Sequence, residues 1–341
     1  YDIIFFWVIR MIFSGYEQMG EKPFKTVLFH GLVRDSQGRK MSKSLGNGID
    51  PLEIISQYGA DALRLTLITG NAPGNDMRFY YERVENSRNF ANKVWNASRF
   101  IMMNMEQALE KTGKDITTPA AADLQPVDKW ILSKLNTLVK DVTDNMDHFE
   151  LGIAVQKVYD FIWDEFCDWY IELAKYRIYH AEEDPKGAND ALWTLREVLK
   201  DSLKLLHPYM PFVTEEIYGK LIPEEESLMM SAWPEYDEAL NFPEAERIVD
   251  HYKEIVRGIR NVRAEMNVPN SRKATAYVVC EDQTLCDGLA FMTNSAKQMA
   301  SVLDLVIQKD KAGIADDAVS VVVPDATVYV PLEELIDFDQ E

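Results

Sequence analysis

The chain has 341 residues, room for two or three domains, and its apolar share of 47% is ample for real cores. No tract has a disordered composition. With 36 Lys plus Arg against 56 Asp plus Glu, the net charge of −20 excludes wholesale nucleic-acid binding and confines any polyanion site to a local cationic patch.

The longest apolar run, IIFFWVI at residues 3–9, is too short to span a bilayer and lacks a signal peptide's cationic leader and cleavage site. The chain starts inside that run, at Tyr1, which reads as a piece of a longer protein. Residues 1–13 pattern as a buried helix, and KTVLFHGLV (25–33) as a strand entering a Gly-rich loop. Beyond the loop, IDPLEIISQYGADALRLTLI predicts a short helix, a break at Gly59 and a second helix. On that second helix Asp61 and Arg64 lie three apart and are expected to pair. TGNAPGND (69–76) is turn-rich and marks a candidate domain boundary.

Val84, Ala91, Val94, Trp95, Ser98, Ile101, Met102 and Met105 recur at helical spacing, and 111–126 is a linker. Amphipathic runs from Trp130 to Met146, Leu151 to Tyr179 and Leu192 to Leu206 predict antiparallel helices packed as a bundle. The prolines of HPYMPF (207–212) end the last of them. His207 is read there as an ordinary helix-end histidine, and Trp95, Trp130, Trp163, Trp169 and Trp193 as core. Residues 223–246 form an irregular acidic connector. A helix from about Glu246 to Met266 follows, then β-type runs ATAYVV, AVSVVV and TVYVPL with a helical stretch between the first two. That pattern predicts a small α/β appendage, and the chain closes on the acidic LEELIDFDQE. Cys167, Cys280 and Cys286 form no CxxC pair and no pattern with the five histidines, which predicts reduced thiols in a cytoplasmic protein without structural zinc.

The stretch GLVRDSQGRKMSKSLGNGIDP (31–51) stands apart in so acidic a chain. Arg39, Lys40 and Lys43 crowd among glycines and serines, with no carboxylate between Arg39 and Asp50. Gly38, Gly46 and Gly48 with Ser42 and Ser44 give a mobile loop whose backbone and hydroxyls can approach an anion closely. Lysines are compact cations on long stems, suited to a group whose charge moves during reaction. A polyphosphate giving up pyrophosphate is such a group, and lysines closing over it act on the transition state. Taken alone, Lys-x-Ser-Lys-Ser equally fits a solvated basic loop.

GRKMSKSLGN resembles the second signature of class I aminoacyl-tRNA synthetases, the KMSKS loop that binds the triphosphate of ATP. IDPLEIISQYGADALRL, NFANKVWNASRF and HPYMPFVTEEIY match the same family, and YDIIFFWVIRMI is similar to its valyl branch. The resemblance covers essentially the whole chain. It implies that Lys40 and Lys43 meet the phosphates, Lys43 foremost, with Met41, Ser42 and Ser44 shaping the loop. It implies that His30 and Gly31 present backbone to adenine, and that Asp2 handles the ribose or the substrate ammonium. Ile3 and Trp7, four apart on one helix, become part of the apolar wall around a valine side chain. For these aliphatic and aromatic positions an ordinary buried helix face is the alternative. An apolar pocket rejects hydroxyl isosteres poorly, so the family adds an editing domain. No HIGH signature, editing insertion or heptad-patterned arm is found here, so this segment alone is expected neither to aminoacylate nor to edit.

For RNA, Lys253, Arg257 and Arg260 fall at i, i+4 and i+7 of the helix after the connector. Continued by Arg263, Arg272 and Lys273, they predict a positive outer stripe for phosphates, or else a solvated charged face. The region of Asn96 and Arg99 resembles one that faces the anticodon in the related methionyl enzymes, which use an asparagine and an arginine there at slightly different spacing. The bland reading is a solvent-facing amide and half of a surface ion pair.

The expected architecture is mainly α. Residues 1–75 would close a Rossmann-type α/β catalytic domain, with the KMSKS loop and a stem-contact region. Residues 76–222 would form a helical anticodon-binding bundle, 223–245 the acidic connector, and 246–341 a basic helix plus a small α/β extension. The resemblance implies ATP with Mg2+, valine and tRNA(Val) as ligands, and a monomeric full-length enzyme without a membrane. A non-catalytic RNA-binding module and the isoleucyl branch remain the alternatives.

Overall fold

The computed structural model describes residues 2–269 and 271–331; LEELIDFDQE lies outside them. Helical structure begins with a π-helical turn, Ile4–Val8, and continues as α1 (Ile9–Met19), longer than the 1–13 expected. The expected burial is not found. No residue of either segment is buried, and Phe5, Phe6 and Phe13 are 80%, 68% and 60% exposed. The apolar pattern predicts the helix; burial needs a second layer against it, which a pattern cannot supply.

The strand expected over 25–33 is also corrected. Most of that stretch is extended without a ladder, and only Val33–Arg34 (β1) pairs, parallel to Met77–Arg78 (β2). Extended residues become a strand only where a neighbour takes their backbone donors and acceptors. The two segments approach closely: a Cβ on Gly31 would lie 1.5 Å from the Asn75 carbonyl oxygen, so only glycine fits.

Asp50 caps α2 (Pro51–Tyr58) by accepting from the Leu52 amide, with Pro51 in the first turn. Gly59 separates it from α3 (Ala60–Ile68). The long helices follow: α4 (Tyr81–Thr112), α5 (Pro126–Asp147), α6 (Leu151–Asp160), which runs through a π-helical segment (Phe161–Tyr170) into α7 (Ile171–Tyr179), and α8 (Pro185–Leu206). Helix α9 (Pro211–Leu221) starts at the second proline of HPYMPF. The acidic connector is irregular apart from two short 3-10 turns up to residue 242, and its last expected residues, from Pro243, belong instead to the helix that follows.

By contacts the chain divides into two compact units. One comprises residues up to 95 with 140–159 and 203–233; the other comprises 96–139, 160–202 and the described residues from 234. The turn-rich 69–76 lies inside the first. That unit has a core of Ile54, Ala62, Leu63, Phe79 and Val84, against which Val33, Met41, Ile49, Tyr58 and Leu67 pack. Asp61 and Arg64 do not pair as expected. Both serve the HPYMPF turn: Asp61 accepts from the Phe212 and Val213 amides at 3.2 and 2.7 Å, and Arg64 donates to the Pro208 and Tyr209 carbonyls. Free backbone groups at a helix start and a helix end outbid a short ion pair.

In the second unit Asp128 is fully enclosed and holds a fork from Arg177, at 2.6 and 2.8 Å, and the Tyr170 hydroxyl at 2.6 Å. Burial and the Asp128 charge push the Tyr170 phenol well up. Helix α10 (Pro243–Glu265) buries Ile248, Tyr252, Ile255, Ile259 and Val262. After it come β3 (Ala276–Val279), α11 (Gln283–Ala290), α12 (Thr293–Met299), β4 (Leu305–Gln308), β5 (Val319–Val323) and β6 (Ala326–Val330). The sheet order is β4-β3-β6-β5, with β3 and β4 parallel and the other pairs antiparallel. The three expected strands are present. The fourth, β4, has only four residues and too short an alternation to stand out.

Candidate phosphate-binding site

The cationic loop is a hairpin with a fastened base. Residues 35–38 form a tight turn in which the Gly38 amide donates to the Asp35 carbonyl at 2.9 Å. Asp at the first position and Gly at the fourth suit that turn. Gly38 has φ +82°, a conformation that a side chain would strain. The Asp35 carboxylate gathers the loop: it accepts from the Gln37 and Arg39 amides, the Arg39 Nε and the Asn47 side-chain amide. The Asn47 hydrogen bond, then the bonds and charge of Arg39, hold its pKa down at about 2 although burial opposes them. Asn47 also donates to the Lys40 carbonyl and accepts from the Ser42 amide at 2.9 Å, which ties the chain after the KMSKS segment back to the segment's start.

Met41 is half-buried and packs on the Ile54–Phe79 core, so it anchors the loop. Lys43 stands at the exposed tip, where the Gly46 amide closes a turn onto the Lys43 carbonyl at 3.3 Å. Ser42 and Ser44 flank it with hydroxyls 3.1 Å apart. The Lys43 ammonium has no carboxylate partner among the described residues. Lys40 has one, Asp2 at 3.7 Å, with both side chains more than half exposed. Such a pair contributes little and yields readily to a stronger anion. Asp2 is thereby brought to the loop.

The other expected residues are placed less decisively. His30 is exposed, its Nδ1 2.8 Å from the Gly31 carbonyl oxygen. Ile3 and Trp7 occupy successive turns, the Trp7 amide donating to the Ile3 carbonyl at 2.8 Å, and both are half exposed. Sequence reading passed over Asp35 and Asn47. The Asp-x-x-Gly turn was a signal for the first; Asn47 could not be recognised before the loop's two ends were seen together.

The basic stripe needs correction. Lys253 is buried, paired to Glu165, and sits 4.5 Å above the Trp130 ring. Burial pushes its pKa down. Arg263 is buried and donates to the Pro269 and Arg272 carbonyls. Arg257 and Arg260 share the Lys253 face as expected, but all three lie over Trp169, at 5.6–6.0 Å from its centroid. Arg260 further donates to the Met299 carbonyl at 2.6 Å. The stripe therefore loses Lys253 and Arg263 to the interior, while Arg257 and Arg260 stay exposed with their guanidinium groups over an aromatic ring. Asn96 and Arg99 are exposed on α4, and Arg99 forms no ion pair among the described residues.

A loop fastened by Asp35, Asn47 and Met41, with the Lys43 ammonium unpaired at its tip and Lys40 held only by the exposed Asp2 among the described residues, can take a polyanion. Residues 1–80 match the family model "tRNA synthetases class I (I, L, M and V)", and residues 128–278 match "Anticodon-binding domain of tRNA ligase". The whole chain aligns with the valine–tRNA ligase of Clostridium tetani at 53% identity. The chain belongs to the class I tRNA synthetase family. The valine–tRNA ligases of Clostridium perfringens (53%) and Bacillus cereus (47%) are also similar to it over its full length. In each case the chain spans 38% of the relative's length.

Among solved synthetases, a methionyl-tRNA synthetase of Mycobacterium tuberculosis in complex with methionyl-adenylate superposes with a TM-score of 0.54 at 22% identity, over 63% of this chain and 42% of that one. A ternary complex of Agrobacterium radiobacter LeuRS with tRNA and LeuAMS gives 0.51 at 19%, over 68% and 27%. These two likenesses establish the synthetase fold. No described helix is long and apolar enough to cross a membrane.

Proposed function

We propose that this chain carries the triphosphate-binding loop and the tRNA-binding helices of a valine–tRNA ligase. The whole enzyme joins valine and ATP to form valyl-adenylate, releases pyrophosphate, and passes the valyl group to the 3′ end of tRNA(Val). It works in the cytoplasm as a monomer. Residues 1–75 belong to its catalytic domain and 76–222 to its anticodon-binding domain. Residues 223–245 connect these to the extension at 246–341.

The observation that carries the reading is a loop fastened by Asp35, Asn47 and Met41, with the Lys43 ammonium unpaired and Lys40 held only by the exposed Asp2 among the described residues. Lys43 and Lys40 take the β- and γ-phosphates and stabilise charge that builds on departing pyrophosphate. Ser42 and Ser44 add hydroxyl donors, and magnesium enters as the counter-ion of ATP. His30 and Gly31 offer backbone to adenine. Asp2 leaves Lys40 when phosphate arrives and turns to the ribose or the valine ammonium. Ile3 and Trp7 line the valine side chain. Positioning does the chemistry, and no general base is required of these residues. On the RNA side Asn96 and Arg99 meet the anticodon, and Arg257 and Arg260 meet backbone phosphate; Lys253, being buried, leaves that set.

The test uses a chain of the relatives' full length that carries this segment. Lys43→Ala lowers valine-dependent ATP–pyrophosphate exchange by about a hundredfold, with little change in the KM for valine. Undiminished exchange in a Lys40→Ala/Lys43→Ala double variant would sink the reading.

A further inference from the structure

The backbone places one more cation at this site. Arg34 pairs in register with Arg78 across the β1–β2 ladder, and on its other side bridges Lys40 in antiparallel fashion. Partners across a ladder project to the same face, and neighbouring backbones lie about 4.8 Å apart. Lys40, Arg34 and Arg78 therefore form a row of three cationic side chains on one face.

Such a row is self-repelling unless it is neutralised. Arg34 is, by Asp76, whose carboxylate also accepts from the Leu32 amide at 2.8 Å. That amide, then Arg34, holds the Asp76 pKa down. Lys40 has only the exposed Asp2. Arg78 is exposed and forms no ion pair or hydrogen bond among the described residues. Its guanidinium is nonetheless placed, because it lies against the hairpin turn. A Cβ on Gly38 would come within 3.1 Å of its Nε and 3.2 Å of its Nη2. The turn leaves space for a guanidinium whose donors are unspent, on the face that carries Lys40.

We propose that Arg78 is a third phosphate ligand of this site, taking nucleotide phosphate oxygens with its fork from beside the Gly38 turn, across Arg34 from Lys40. The inference rests on the reading of the loop given above and adds a residue to it. A fork fits two oxygens of one phosphate where a lysine offers a point charge.

In the full-length chain, ATP–pyrophosphate exchange is measured with ATP, pyrophosphate and valine varied in turn. Arg78→Gln raises the KM for ATP and for pyrophosphate by about tenfold. It leaves the KM for valine and the thermal midpoint unchanged, and Arg78→Lys recovers part of the loss. A parallel shift in the valine KM and the midpoint, or no shift at all, overturns the proposal. So does an unchanged ATP response with a raised KM for tRNA, which would assign the phosphate to the RNA backbone. Lys43→Ala in the same assay separates the two ideas. Slow exchange there with a normal Arg78→Gln enzyme removes only Arg78, whereas normal exchange in both removes the reading beneath it.

Discussion

At the scale of single residues, environment decides what a side chain is for. His207 has the sequence of a helix-end histidine, and it closes α8, but its ring is half-buried with Nδ1 2.8 Å from the Thr214 hydroxyl. That hydroxyl already donates to the Met210 carbonyl, so the ring donates to it. Burial holds the imidazole below its ordinary pKa, although Glu215, 4.0 Å away, and Asp61 pull the other way; Arg64 adds to the depression. A base with a lowered native pKa is protonated more readily when unfolded. Stability is thus level above about pH 6.5, falls as pH drops through that value toward the native pKa, and is level again below it. Urea titrations at pH 7.5 and 5.5 will show this loss, and His207→Asn, which keeps an amide donor near the Nδ1 position, will flatten it. Lys253 teaches the same lesson in reverse, since the periodicity that put it on a cationic face says nothing of the tryptophans and the glutamate waiting there.

At the scale of elements, helices were legible wherever an apolar stripe ran for several turns, as in α4, α5 and α10, and punctuation at Gly59 and Pro211 marked real ends. Element boundaries depend on caps, and some caps come from far along the chain. Asp61, on α3, caps α9 some 150 residues later, a pairing no local spacing encodes. Asp61→Ala removes both amide contacts and is expected to cost about 1 kcal/mol, read as a lower denaturation midpoint with the far-UV spectrum unchanged. Strands were less legible than helices. The stretch 25–33 has strand composition but finds a ladder only at its last residue and the one after it, while β4 pairs along all four of its residues. Strand formation is a property of two segments and helix formation of one.

At the scale of the whole molecule, the apolar side chains of residues 3–19 stand uncovered. Phe5, Phe6, Trp7, Phe13 and Met19 are each more than half exposed. Water-exposed apolar area of this extent favours association. Sedimentation of this chain is expected to show a concentration-dependent rise in mass, which Phe5→Ser/Phe13→Ser suppresses; a mass independent of concentration would contradict it. The net charge of −20 opposes such contact only weakly at ordinary salt, where repulsion is screened beyond about 8 Å.

Residue order alone determined the long helices, the cationic loop and the family, because each depends on chemistry confined to a few neighbouring positions. Tertiary structure decided which cations remain available. It buried Lys253, neutralised Arg34, left Lys43 open and set Arg78 against the Gly38 turn, across Arg34 from Lys40. The physical reason is that a charge's energy depends on what lies within a few ångströms of it in space, and most of those neighbours are distant along the chain.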